Sequence, residues 1–124
     1  MTKTKTPREI IFSHAEEFFL SAKIGIAVVR RNGTLKQCNP FFLKLFGYAA
    51  KDLAHANISK LFPVINDIEE EISWEKYFEK AINDNTEVNT ELFALKKDGT
   101  IFPVEVNYGS YKIEDNSYIA LFIS

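Results

Sequence analysis

The chain has few of the residues that carry chemistry by themselves. Of its 124 residues, one is cysteine and two are histidine. Cys38 alone can form no internal disulfide and belongs to no Cys/His cluster of metal-ligand spacing. Such sparing use of cysteine points to a reducing, cytoplasmic setting. No apolar run approaches the roughly 20 residues that a membrane-spanning helix needs. Met1 to Pro7 is polar, carries two lysines and lacks an apolar core, so it does not read as a secretory signal. Positive charge is not in surplus either. The 15 basic residues face 17 acidic ones, a net charge of -2, whereas a nucleic-acid-binding domain is usually basic. Catalytic signatures are missing as well: no Walker-type loop, no HExxH, no Ser-His-Asp ordering and no paired-carboxylate motif. Glu69, Glu70 and Glu71 are consecutive, so on a helix they point in different directions and cannot hold a metal ion between them. Neither a metal site nor an enzyme is expected.

What is present describes one globular domain. Hydrophobic residues make up 46% and charged residues 26%, the balance of a folded chain, and the length suits a single core. Eleven Phe, five Tyr and Trp74 supply ample bulk to fill it. Charge is unevenly spread. Asp67 to Glu91 holds nine acidic residues against Lys76 and Lys80, while the remainder holds eight acidic and thirteen basic. The acidic band reads as a solvated helix face, with a complementary partner as the alternative.

Local patterns set the element order. Thr6-Pro7-Arg8-Glu9 is a capping box with proline at the first helical position. Ile10, Ile11, Ala15, Phe18, Phe19 and Ala22 then recur at helical spacing, opposite Arg8, Glu9, Glu16 and Glu17. An amphipathic helix over residues 6–22 is expected. Ile24 to Arg30 is apolar and β-branched, Asn32-Gly33 is a hairpin signal, and Thr34 to Cys38 reads as the returning strand. Asn39 caps a short helix with Pro40 in its first turn and Gly47 ending it in the left-handed region, so that Phe42, Leu45 and Phe46 share an inner face. Short helical turns are expected near 50–53 and 58–62, and Pro63 breaks the second. A longer helix is expected over 67–83. Three strands follow: Glu87 to Lys96, Thr100 to Lys112 after the Asp98-Gly99 turn, and Ser117 to Ile123 after a turn at Asp115-Asn116. In the second of these, Phe102, Val104, Val106 and Tyr108 lie on one face, with Ile101, Glu105 and Asn107 mostly on the other. The fold class is therefore α+β, a five-stranded antiparallel sheet with short helices on one face.

This order resembles a PAS domain. The resemblance is carried by Gly25-Ile26-Ala27-Val28-Val29, Asn32-Gly33, Asn39-Pro40-Phe41-Phe42-Leu43-Lys44-Leu45-Phe46-Gly47-Tyr48, Leu61-Phe62-Pro63, Lys96-Lys97-Asp98-Gly99-Thr100 and Phe102-Pro103-Val104-Glu105-Val106. It covers about residues 24–124, with residues 1–23 as an N-terminal amphipathic flanking helix. The resemblance implies a curved antiparallel sheet cupping short helices, sometimes around a ligand cavity. It also implies a sensing or dimerisation role in a larger signalling protein, cytoplasmic, with a histidine kinase, diguanylate cyclase or regulator as output. The chain ends where the family commonly runs into its effector junction, so an output domain is expected beyond it. In the family the residue matching Asn39 mostly ties helix to sheet and only sometimes touches ligand.

Cofactor-binding members of the family carry marks that can be sought here. Flavin photoreceptors of the LOV type need a reactive thiol on the helix after the Gly-Tyr segment. That region is Leu53 to Leu61 and holds no cysteine, while Cys38 precedes the Asn39 helix and reads as a small buried apolar residue. Haem members hang iron from a histidine on the long helix. Residues 67–83 hold none, since His14 lies on the first helix and His55 in the irregular segment. No cofactor is evident, and an unknown small molecule stays open. Its candidate pocket combines Ile26, Val28, Val104, Val106 and Tyr108 of the sheet with Asn39, Phe46, Leu61, Trp74 and Phe78. The competing reading is that these side chains fill the space themselves, giving a purely structural interaction module. The first helix must place Ile11, Phe12, Ala15, Phe18 and Phe19 against something, and an isologous homodimer is the expected solution.

Overall fold

In a computed structural model of the chain, residues 6–62 and 90–124 are described, apart from the side chains of residues 7–12, 90 and 91. The expected helix 67–83, with Trp74, Phe78 and most of the acidic band, lies outside the described residues.

Helix α1 (Pro7–Ser21) begins where the capping box places it. Strands β1 (Gly25–Arg30) and β2 (Leu35–Cys38) form the first hairpin. Its turn is not the two-residue type that Asn-Gly favours. Gly33 donates to Arg30 O at 2.8 Å and Arg30 to Thr34 O at 2.8 Å, and only Gly33 takes a positive φ, 90°. This is a tight turn closed by a left-handed glycine. Asn57 donates to Asn32 O at 3.0 Å and fills the space beside Gly33, where a Cβ would stand 2.9 Å from Asn57 Oδ1.

Three short helical pieces follow. Helix α2 (Pro40–Phe46) is capped by Asn39 and stopped by Gly47 at φ 78°. Helix α3 (Ala50–Leu53) and a 3-10 turn (Ile58–Leu61) match the two expected turns. The chain then returns as β3 (Thr90–Leu95), β4 (Ile101–Ile113) and β5 (Asn116–Ile123). The five strands pair in the order β2-β1-β5-β4-β3, with every neighbouring pair antiparallel. Strands from opposite ends of the sequence, β1 and β5, thus lie side by side at the centre.

Register fixes which side chains share a face. Val106 opposes Ile123 and Tyr108 opposes Leu121, while Ala27 opposes Leu121 and Val29 opposes Ile119. Apart from Tyr108, which packs at the margin, these residues, with Val104, Ala94 and Leu35, join Phe42, Phe46, Leu53, Ile58, Leu61 and Phe62 in one buried cluster between sheet and helices. The expected inner face of β4 is correct. That of β1 is not: Ala27 and Val29 face the helices, and Ile26 and Val28 point to the opposite side of the sheet, across from Phe122 and Ala120.

Candidate functional site

The helical layer meets the sheet through a cluster of tilted and edge-to-face aromatic rings. Phe42, Phe46 and Phe62 are fully buried. The Phe46 ring centroid stands 4.7 Å from Phe42, 5.9 Å from Phe62 and 5.6 Å from Phe102 on β4. Of the candidate pocket residues, Phe46, Leu61, Val104 and Val106 come together in the buried cluster, and Tyr108 packs at its margin. Ile26 and Val28 do not belong to it, because they occupy the far side of the sheet. Trp74 and Phe78 lie outside the described residues. Phe42, expected on the inner face of its helix, and Phe62, from the Leu61-Phe62-Pro63 motif, belong to the same cluster, although the candidate pocket includes neither.

Asn39 is fully buried and its side chain makes three hydrogen bonds to the backbone. Oδ1 accepts the Ile26 and Phe42 N–H groups, each at 2.9 Å, and Nδ2 donates to Ile24 O at 2.9 Å. One amide therefore caps α2, holds the first residues of β1 and grips the link from α1. With both ends committed to the backbone, it serves as a structural tie.

Around the rim the groups are charged. The Lys60 and Lys97 ammonium groups stand 5.2 Å and 5.9 Å from the Tyr48 ring centroid, close enough for cation–π attraction. Lys97 also meets Asp52 at 3.4 Å and, through its backbone N–H, donates to Phe46 O at 3.0 Å. The Ala49 N–H and then Lys97 hold the Asp52 carboxyl below its usual pKa. Asp98 is lowered too, chiefly by hydrogen bonds from Thr100. The Lys96–Thr100 hairpin is thereby fastened to α2 and α3. Among the described residues, no three His, Cys, Asp or Glu side chains gather to hold a metal ion, and no helix is long and apolar enough to cross a membrane.

Cys38 is half-buried against the core cluster, and burial pushes its thiol pKa up to about 12 from 9.0. At pH 8 such a thiol holds about a thousandfold less thiolate than an unperturbed one. Ellman's reagent at pH 8 should label Cys38 at least a hundredfold more slowly than glutathione. Labelling should reach the glutathione rate in urea, and fast labelling of the native domain would contradict this burial.

On α1, Ala15 and Phe18 are exposed, Phe19 is half-buried, and the side chains of Ile11 and Phe12 lie outside the described residues. His14 and His55 are both exposed.

Known proteins share this architecture. The PAS domain of an HTR-like protein from Haloarcula marismortui superposes with a TM-score of 0.77 at 17% identity, covering 94% of this chain and 93% of that one. A PAS domain from a two-component sensor histidine kinase gives 0.76 at 16%, covering 94% and 97%. An RNA-binding light-oxygen-voltage receptor gives 0.77 at 20%, covering 100% of this chain and 35% of that chain. At such identities the likeness is one of fold. No curated protein matches the sequence. The model of a family described as the PAS domain matches residues 23–124, from just before β1 to the last residue of the sequence. Five antiparallel strands cupping an Asn-capped helix and two short turns, together with that match, mean that the chain belongs to the PAS domain family.

Proposed function

We propose that this domain is a signal-sensing and dimerisation module of a larger signal-transduction protein, whose output is a histidine kinase, diguanylate cyclase or regulator, and that it works as a cytoplasmic homodimer without catalysis of its own. The observation that carries the reading is the apolar surface left once the core has closed. On α1, Phe18 is 63% and Leu20 48% exposed. On the side of the sheet away from the helices, Tyr111 and Ile113 are also exposed, and half-buried Val28 and Phe122 lie further along the same face. Side chains of this size, so placed, favour a second copy of the chain. A change in packing between helices and sheet would then shift the geometry of the flanking segments and pass to an effector.

Light scattering at tens of micromolar should give twice the 14.2 kDa chain mass. Phe18→Glu should weaken association at least tenfold while leaving the circular dichroism unchanged. A monomer at that concentration overturns the dimer. The alternative, a structural interaction module without ligand, draws support from the buried cluster of Phe42, Phe46 and Phe62.

A further inference from the structure

A cavity of about 320 Å³ lies outside the aromatic core, at the junction of four elements. Phe19 of α1 forms one wall, Leu35 and Cys38 of β2 a second, and Leu43 of α2 with Leu53 and Ala54 at the end of α3 the rest. The volume falls within the range of small-molecule sites, about 300–1,000 Å³. Its chemistry is neutral. Burial keeps the Cys38 thiol protonated. Gln37, which is uncharged, and Lys36 also border the cavity, but the Lys36 ammonium sits 4.3 Å above the ring of Tyr118, a residue on the side of the sheet facing away from the helices. Strand β2 lies at the sheet edge, but the Leu35 N–H on its outer side already donates to Ala56 O at 2.8 Å, so the cavity offers a ligand chiefly apolar contacts.

We infer that this cavity binds a small, uncharged, mainly apolar molecule of the size of one or two fused rings. The inference rests on the sensing reading above and gives it a place and a ligand class. Phe19 is the wall that belongs to the flanking helix, and the other walls belong to the sheet and the helical layer. A ligand filling the cavity touches α1 and the PAS core together, so it binds more tightly when α1 is docked and shifts the population toward that state.

Indole is a suitable probe, titrated into the 124-residue chain and followed by amide shifts in ¹H–¹⁵N spectra. Saturable shifts should centre on Phe19, Cys38, Leu43 and Ala54, with a Kd of about 0.1–1 mM for so few heavy atoms. Ala54→Phe, at the exposed rim, should block the cavity and weaken binding at least tenfold while the spectrum stays dispersed. Phe19→Ala removes a wall from outside the sheet and should weaken it similarly. Shifts that do not saturate, shifts centred on Phe42, Phe46 and Phe62, or an affinity unchanged in both variants would each overturn the proposal. Light scattering on the same samples separates the two readings. A dimer that ignores indole sinks the cavity alone, and a monomer that binds it sinks the dimer alone.

Discussion

Replacing Phe46 by alanine should lower the stability of the fold by about 3–5 kcal/mol, the range for truncating a buried phenylalanine. The ring is fully buried and touches three others, one on its own helix, one just after the 3-10 turn and one on β4. Its removal therefore opens a void where the elements that could close it are pinned. The α2 end is held by the Lys97 N–H on Phe46 O, and β4 is held by strands on both sides. Relaxation is limited and the cavity penalty is kept. At about 3–5 °C per kcal/mol for a chain of this length, the melting temperature should fall by 10 °C or more. Urea unfolding read by circular dichroism measures the change directly. Phe46→Leu retains most of the volume and should cost about 1–1.5 kcal/mol, so it keeps the test informative if the alanine variant does not fold. An alanine variant within 1 kcal/mol of the parent would mean that the Phe46 site collapses freely.

Turns and caps were legible in the sequence because their chemistry is local. Asn39-Pro40 and Gly47 bound α2 where expected, since a capping side chain and a left-handed glycine act within one turn of backbone. The faces of β4 were legible because its residues alternate, and Val104 and Val106 are buried where the pattern puts them. Strand β1 offered no such reading. Ile24 to Val29 is apolar on both sides, as a central strand can be, and periodicity cannot choose a parity there. Tertiary contacts choose it. Asn39 anchors Ile26 N–H, and α2 lies so close to Gly25 that a Cβ there would meet the Phe42 ring at 3.4 Å. The face of Gly25, Ala27 and Val29 is thus turned inward.

The last hairpin shows the same competition. Asn116 is the better turn former, yet the turn falls one residue earlier, with Glu114 and Asp115 at φ 49° and 67° and Ile113 paired with Asn116. A strained left-handed pair costs less than sliding β5 by one residue, which would carry Ile119, Leu121 and Ile123 out of the core. The cavity beside Phe19 had no sequence signal at all, because its walls come from four elements and no single segment contains them.

Asn39→Ala should cost about 3 kcal/mol, much more than an ordinary helix cap. Loss of the cap on Phe42 N–H accounts for about 1 kcal/mol. The same truncation strips the partner from the buried Ile26 N–H, at about 1–2 kcal/mol, and from the half-buried Ile24 carbonyl, which costs less because water reaches it. Asn57 is the internal control. It caps the 3-10 turn through Ser59 N–H at 3.0 Å and bonds Asn32 O, but it is exposed, so water replaces what alanine removes. Asn57→Ala should therefore cost about 0.5–1 kcal/mol. The two variants differ in a second respect. Ile24 follows α1 by three residues, so Asn39 fixes how the flanking helix leaves the core. In Asn39→Ala, amide exchange at Ala22, whose N–H bonds Phe18 O at 2.9 Å, should accelerate more than exchange along β4 and β5. An Asn39→Ala variant no less stable than Asn57→Ala, or acceleration confined to α2, would show that the amide is only a cap and that α1 is positioned by its other contacts.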